Sequence, residues 1–184
     1  MTTKDQLSPI SNADWPDEIA DMLSGFAGGL NVYRTMAHHP ALLRAWADLR
    51  EHVVNQSSLG RQRSEVVILR TGHRLGSSYE WSQHIQRGRK YGLSDARIAA
   101  MRLPIDQIEG EDALFARSVD ELFDHAALSE QTRQALTELV GSRGVLDVMA
   151  TVGFYSTLGY ILNTNQTPLD DDIASELAAN PLSP

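Results

Sequence analysis

The apolar positions along this chain recur at helical rather than strand spacing. "ALLRAWADLREHVV" sets Leu42, Leu43, Trp46, Leu49 and Val53 on one stripe, the repeat of three and four residues that marks an amphipathic helix, and Gly60 ends it. "RQRSEVVILRTGHRL" follows and is largely apolar from Ser64 to Leu75. Its β-branched run Val66–Val67–Ile68 has strand propensity, but the helical pattern on either side and the lack of hairpin signals favour a buried helix closed by Gly76. The next helix is expected from about Ser78 to Tyr91, stopped by Gly92 in a left-handed cap. Ser94 opens a short helix that Pro104 closes. Three further helices are expected at roughly Glu111–His125, Ser129–Ser142 and Val145–Asn163. Ahead of all these, a helix starts near Asp14 and ends near Gly25, and another stops before Pro40. The pattern is all-α: an N-terminal helical segment over 1–40, a main domain over 41–163, and an acidic, then Ala- and Pro-rich, tail over 164–184 that reads as peripheral.

A weak internal echo runs through this pattern. "HVVNQSSLGRQRSEVVIL" aligns with "ELFDHAALSEQTRQALTE", so that Leu59 falls on Leu128 and Glu65 on Gln134. On the same register Glu80 meets Met149 and His84 meets Gly153. A degenerate helix-pair repeat whose second copy lost its ionisable residues fits this, and so does a chance match of two helix–turn–helix stretches.

Composition narrows the function. The chain of 184 residues suffices for one sizeable core. A net charge of -8 without a dense Lys/Arg cluster argues against nucleic acid as a partner. No uninterrupted apolar run approaches the roughly 20 residues of a membrane span, and the first residues lack the basic and apolar regions of a signal peptide. A cytoplasmic protein with no membrane partner is expected. There are no cysteines, which removes disulfides, thiolate–zinc sites, thiol peroxidase chemistry and cysteine nucleophiles together.

Candidate chemistry concentrates in "SSYEWSQH", Ser77 to His84. Glu80 and His84 fall one helical turn apart on one face. The same letters form a capping box, in which the Ser77 hydroxyl and the Glu80 carboxylate would satisfy free N–H groups at the helix start. Tyr79 and Trp81 are either packing residues or substrate walls. Glu65 is harder to read as structural, because a carboxylate inside an apolar run needs a partner or a raised pKa. Arg61, Arg63 or an arginine from another helix would be its structural partner.

"RQRSEVVILRTGHRLGSSYEWSQHIQRGRKYGLSDARIAAM" resembles the core of the carboxymuconolactone decarboxylase family, which includes the AhpD-type alkyl hydroperoxidases. Its marks are Glu65 on one helix, the Gly76–Ser77 break, "YEWSQH" with His84, and "YGLSDARI" opening the next helix. The likeness extends more weakly through "LTELVGSRGVLDVMATVGFYSTLGYILN". It implies an AhpD-like helical bundle that assembles as a homo-oligomer, commonly a trimer or hexamer. In the peroxidase branch the second helix carries a Cys-x-x-Cys pair, whose positions here are Ser77 and Glu80. A serine cannot cycle through sulfenic acid or disulfide. What remains is Glu65, Glu80 and His84 as a catalytic acid–base cluster, as the cofactor-free decarboxylase branch implies.

The chemistry would be that of a cofactor-independent lyase or isomerase on a small anionic carbonyl or lactone metabolite. Loss of carbon dioxide leaves an enolate-like carbanion that must be stabilised and then protonated on carbon. Arg74 is the candidate to hold an anionic substrate, with Ser77, Tyr79, Trp81 and His73 around it, and no cofactor or metal is expected. Two rival readings stand beside this one. The first is a catalytically silent or stress-related homologue of the hydroperoxidases, in which the cluster is a buried ion-pair and cap network. The second is metal binding by Glu65, Glu80, His84 and His73.

Overall fold

A computed structural model describes residues 6–182, and every regular element in them is helical. A 3-10 turn at Asp17–Met22 leads to two short helices, α1 (Phe26–Gly29) and α2 (Asn31–Met36). Helix α3 (Pro40–Glu51) runs directly into a π-helical turn, His52–Gln56. Then come α4 (Arg61–Arg74), α5 (Ser78–Lys90), α6 (Asp95–Ala100), α7 (Gly110–His125), α8 (Glu130–Asn165) and α9 (Asp171–Ala179).

Helix α4 packs against α5, α7 and α8 at once. Nine successive residues, Ser64 to Gly72, are buried on it. That explains why Val66–Val67–Ile68 is helical: a helix covered on every side is apolar all round, and burial overrides the β preference of the run. Arg70 is buried too, 6% exposed, which is tolerable because its donors are matched. It holds Asp120 with two nitrogens at 2.9 and 2.5 Å, and its third nitrogen reaches the Met101 and Leu103 carbonyls at 3.1 and 2.7 Å.

Both ends of the α4–α5 pair close with the same backbone device. Gly76, at φ 61°, lets the Ser77 N–H return to the Gly72 carbonyl at 3.0 Å, while its own N–H meets the His73 carbonyl at 3.0 Å. Gly92, at φ 87°, repeats this with the Leu93 N–H on Gly88 at 2.9 Å. These are Schellman closures, which need a left-handed residue and so favour glycine.

One expectation holds and two change. The separate helices expected on either side of Ser142 are present as the two halves of α8, which leaves helical conformation at Gly141 (φ 71°, ψ 173°). The aligned repeat would place that break at Val145, inside the helix, so the echo does not carry the break. By length and composition α8 is also apolar enough to cross a bilayer, although its sequence has no single uninterrupted run. About 56% of its most apolar 18-residue stretch is buried inside the protein, as in the core helix of a folded domain. Finally, the C-terminal segment is not peripheral. Asp170 is buried and accepts from the Asn31 N–H at 2.8 Å, the Gln83 amide at 2.5 Å and the Tyr79 hydroxyl. Helix α9 then packs on α5 with Ile173 buried. Composition could not reveal this, because the donors lie far away in sequence.

The apolar side chains form two clusters. One gathers Ile98, Met101, Phe115 and Leu136 beneath α4 and α5. The other joins the N-terminal segment, through Ile19, Tyr33 and Leu43, to Phe154, Tyr155 and Leu158 of α8. Helix α5 sends Trp81 and Ile85 to the first and Tyr79 to the second. The polar residues of interest line the side facing the second cluster.

Candidate active site

Glu80 is the residue whose two readings most needed a structure. The Ser77 hydroxyl does accept from the Glu80 N–H, at 3.4 Å. The reciprocal arm of a capping box is blocked, however, since the Ser77 N–H is already spent on Gly72 in the closure of α4. The Glu80 carboxylate is therefore released from the helix start and turns along the helix toward His84. Its Oε2 lies 3.5 Å from His84 Nε2.

From the other side, Glu65 on α4 meets His84 Nδ1 at 2.6 Å. Arg61 and Arg63, its expected structural partners, are engaged elsewhere: Arg61 on the Val54 carbonyl, Arg63 on Glu111 at 2.8 Å. Glu65, Glu80 and His84 are 4%, 3% and 2% exposed. An imidazole facing a carboxylate at each nitrogen satisfies both only when both nitrogens carry protons. Burial works against that charge, but Glu65, by charge and hydrogen bond, and Glu80 after it outweigh burial and hold His84 above its ordinary 6.5. One acceptor is left over: Glu80 Oε1 is buried with no hydrogen-bond partner among the described residues.

Aromatic residues close the space around this cluster. The Tyr155 ring meets His84 edge-on, centroids 5.0 Å apart. Tyr33, Tyr79, Gln83, Arg87 and Leu158 complete a cavity of about 20 Å³ beside Glu80 and His84, room for about one water. A second space of about 10 Å³ lies on the Glu65 side, bounded by Arg87, Tyr91 and Tyr155. Burial pushes the Tyr33 hydroxyl up to about 12, with Glu80 adding to the shift and Arg50 and Arg87 opposing it. Burial likewise raises Tyr155 well above its ordinary value. Both remain protonated donors at neutral pH.

The other expected site residues fall elsewhere. Tyr79 lines the small cavity, but its hydroxyl is committed to Asp170. Trp81 points into the opposite apolar cluster under the Arg102 guanidinium, 3.9 Å from its ring. His73, Ser77 and Trp81 border a separate surface cavity of about 350 Å³. Arg74 is paired with Asp120 at 3.0 Å and with Asp124, so it is not a free anion holder. Among the described residues no three His, Asp or Glu side chains are placed to hold a metal ion. Both nitrogens of His84 face carboxylates, and His73 lies apart from them beside a separate cavity.

Tyr33 and Tyr155 were missed by sequence reasoning, and Arg87, one of several scattered arginines that left a local anion site open, was not assigned to this site. Arg87 alone carried a signal, three residues after His84 and on the same face of α5. The tyrosines arrive from distant elements.

The fold and this seam define an all-helical protein of the AhpD-like type. Residues 40–119, which contain Glu65, Glu80 and His84, match the model of the carboxymuconolactone decarboxylase family. The likeness to that family thus spans the candidate site, in a chain that has no cysteine. No curated protein sequence matches it significantly. Among solved structures it is similar to an alkylhydroperoxidase AhpD core, an uncharacterized peroxidase-related protein from Ralstonia eutropha JMP134. There the TM-score is 0.76 and the identity 17%, over 91% of this chain and 94% of that one. It is also similar to a cysteine-to-alanine variant of the debrominase Bmp8 in complex with 2,3,4-tribromopyrrole. That match has a TM-score of 0.69 and 12% identity, over 97% of this chain and 99% of the other. These likenesses establish the fold.

Proposed function

We propose that the chain is a cofactor-independent lyase or isomerase that moves a proton on a small anionic carbonyl or lactone metabolite. The observation that carries this reading is the buried His84 between two carboxylates, with one carboxylate oxygen, Glu80 Oε1, left unpartnered beside a cavity. A buried ion pair kept only for stability would have no reason to strand an acceptor, which is costly in a dry interior. A group awaiting a proton or a polar substrate atom does.

In a decarboxylation the carbon–carbon bond to the carboxylate breaks and its electron pair moves onto the neighbouring carbonyl as an enolate. Protonated His84 then delivers a proton to carbon, and Glu65 holds the ring and stabilises its charge. In an isomerisation Glu80 removes a proton from the carbon beside the carbonyl and His84 returns one to another carbon. The thiol route suggested by the name of the AhpD core neighbour is closed to this sequence, which has no cysteine. A panel of lactones and β-keto acids tests the reading, scored by carbon dioxide release and by deuterium uptake at carbon. Turnover of at least one member, lost in His84→Gln, is expected. A protein that neither turns over nor labels any member would overturn it.

A second reading, a catalytically silent homologue, draws on one observation: the cavity beside His84 holds only about one water, so in this conformation the tyrosines nearly fill it.

We also infer a homo-oligomer. Leu146 and Tyr160 on α8 are 65% and 60% exposed, with Leu139 and Met149 on the same helix, an apolar row of the kind a neighbouring copy covers. Light scattering should give a multiple of the 20.3 kDa chain mass, and a monomer at micromolar concentration would contradict this.

A further inference from the structure

Two carboxylates sharing one imidazolium leave the cluster with a net negative charge, which repels the anionic substrate proposed above. A cation at the cavity is required, and Arg74 is unavailable. Other arginines of α4 to α6 are also spoken for: Arg63 by Glu111, Arg70 by Asp120, Arg89 by Asp95 and Arg97 by Asp112. Arg87 differs. It stands one turn beyond His84 on α5 and borders both small cavities, the one beside Glu80 and His84 and the one beside Glu65. The side chain is half-buried yet makes no hydrogen bond or ion pair among the described residues. Its charge is felt by Glu65, Glu80, Tyr33 and Tyr155, so it faces into the same seam. The stranded Glu80 Oε1, on a side chain 3% exposed, is an independent sign that the cavity awaits a polar occupant.

We propose that Arg87 is the anion-holding residue of this site. Its guanidinium fork takes the substrate's carboxylate beside Tyr155, which with Arg87 borders both small cavities, and leaves the adjoining carbonyl against His84 and Glu80. A planar fork pairs two carboxylate oxygens at once, which a lysine cannot do. The site is therefore specific for carboxylates over their neutral analogues. Leu30, Val32 and Tyr33 roof the cavity from the N-terminal segment, and since it has room for about one water, a substrate even of pyruvate's size requires that roof to shift. This inference rests on the acid–base reading for its substrate class, but it concerns binding and is measured without turnover.

The test uses the full chain with pyruvate and its near-isosteric neutral partner pyruvamide, followed through the ring signals of His84 by NMR. Wild type should bind pyruvate at least tenfold more tightly than pyruvamide. Arg87→Gln should abolish that preference by weakening pyruvate alone, and Arg87→Lys should restore part of it. If Arg87→Gln does not fold, the Arg87→Lys variant and the acid–amide preference of wild type decide the matter. Equal binding of the two probes by wild type, failure of both to bind, or undiminished pyruvate affinity in Arg87→Gln would overturn the proposal. Carboxylate binding through Arg87 in a protein that turns nothing over would uphold Arg87 and remove the lyase reading.

Discussion

His84 and His52 each meet a carboxylate at nearly the same distance, 2.6 Å to Glu65 and 2.7 Å to Asp147. The resemblance ends there. The His52 side chain is 47% exposed. Its partner Asp147 is saturated, also accepting from the Ser58 N–H at 2.7 Å and the Ser58 hydroxyl at 2.6 Å. Asp147 thus fastens the turn after α3 to α8, and nothing at that cluster is left to react. At His84 the carboxylates outnumber the imidazole, the cavity beside it has room for about one water, and an acceptor has no hydrogen-bond partner among the described residues. Separation between charged atoms does not distinguish a clasp from a site. We take an unpartnered acceptor beside a cavity, as at Glu80 Oε1, as the mark of the proposed site.

The largest expected contrast is in catalysis. On the best substrate of the lactone and keto-acid panel, His84→Gln and Glu65→Gln should each lose about 10²–10⁴-fold in kcat, the usual contribution of a general acid–base group. His52→Gln should leave kcat unchanged. Steady-state rates normalised to folded protein check this, and equal losses at the two histidines would erase the distinction.

Next comes stability. His84→Ala strands two buried carboxylates and should cost about 3–5 kcal/mol by denaturant unfolding. His52→Ala removes an exposed partner and should cost about 0–1 kcal/mol.

Much of this frame was legible in the sequence. Helices α4 and α5, the two glycine stops after them and the pairing of Glu80 with His84 follow from apolar spacing and local caps, whereas Glu65 joined them only through the family resemblance. The capping box was half right. Its missing half depended on where the Ser77 N–H goes, and that is decided by the preceding helix rather than by the box. Tyr33, Tyr155 and Asp170 were illegible, because each reaches the site from an element far along the chain. Arg74 was misread for the same reason: Asp120 and Asp124, which neutralise it, come from α7.

The two clusters should also fail at opposite ends of the pH scale. The folded pKa of His84 is raised above 6.5. Its contribution is therefore fully present below that value and is lost as pH rises through the folded pKa. Burial would raise Asp147, but hydrogen bonds from Ser58 and His52 outweigh it and hold the carboxyl below 3.8. Its contribution is present above 3.8 and is lost as pH falls through the folded pKa. Unfolding curves of wild type against His84→Ala should converge toward high pH, and those against Asp147→Asn toward low pH.

The smallest expected effect is that of Glu80→Gln on stability, within about 1 kcal/mol. It removes a stranded charge while weakening only the longer, 3.5 Å contact to His84.

The most direct measurement is nitrogen NMR of the imidazole rings across pH, which reads His84 and His52 in one sample. Both His84 nitrogens should stay protonated above pH 6.5, and Glu65→Gln should lower the His84 pKa while leaving the His52 signals unchanged. A neutral His84 ring at or below its ordinary pKa, or a His84 titration indifferent to Glu65, would contradict a buried imidazolium poised between two carboxylates.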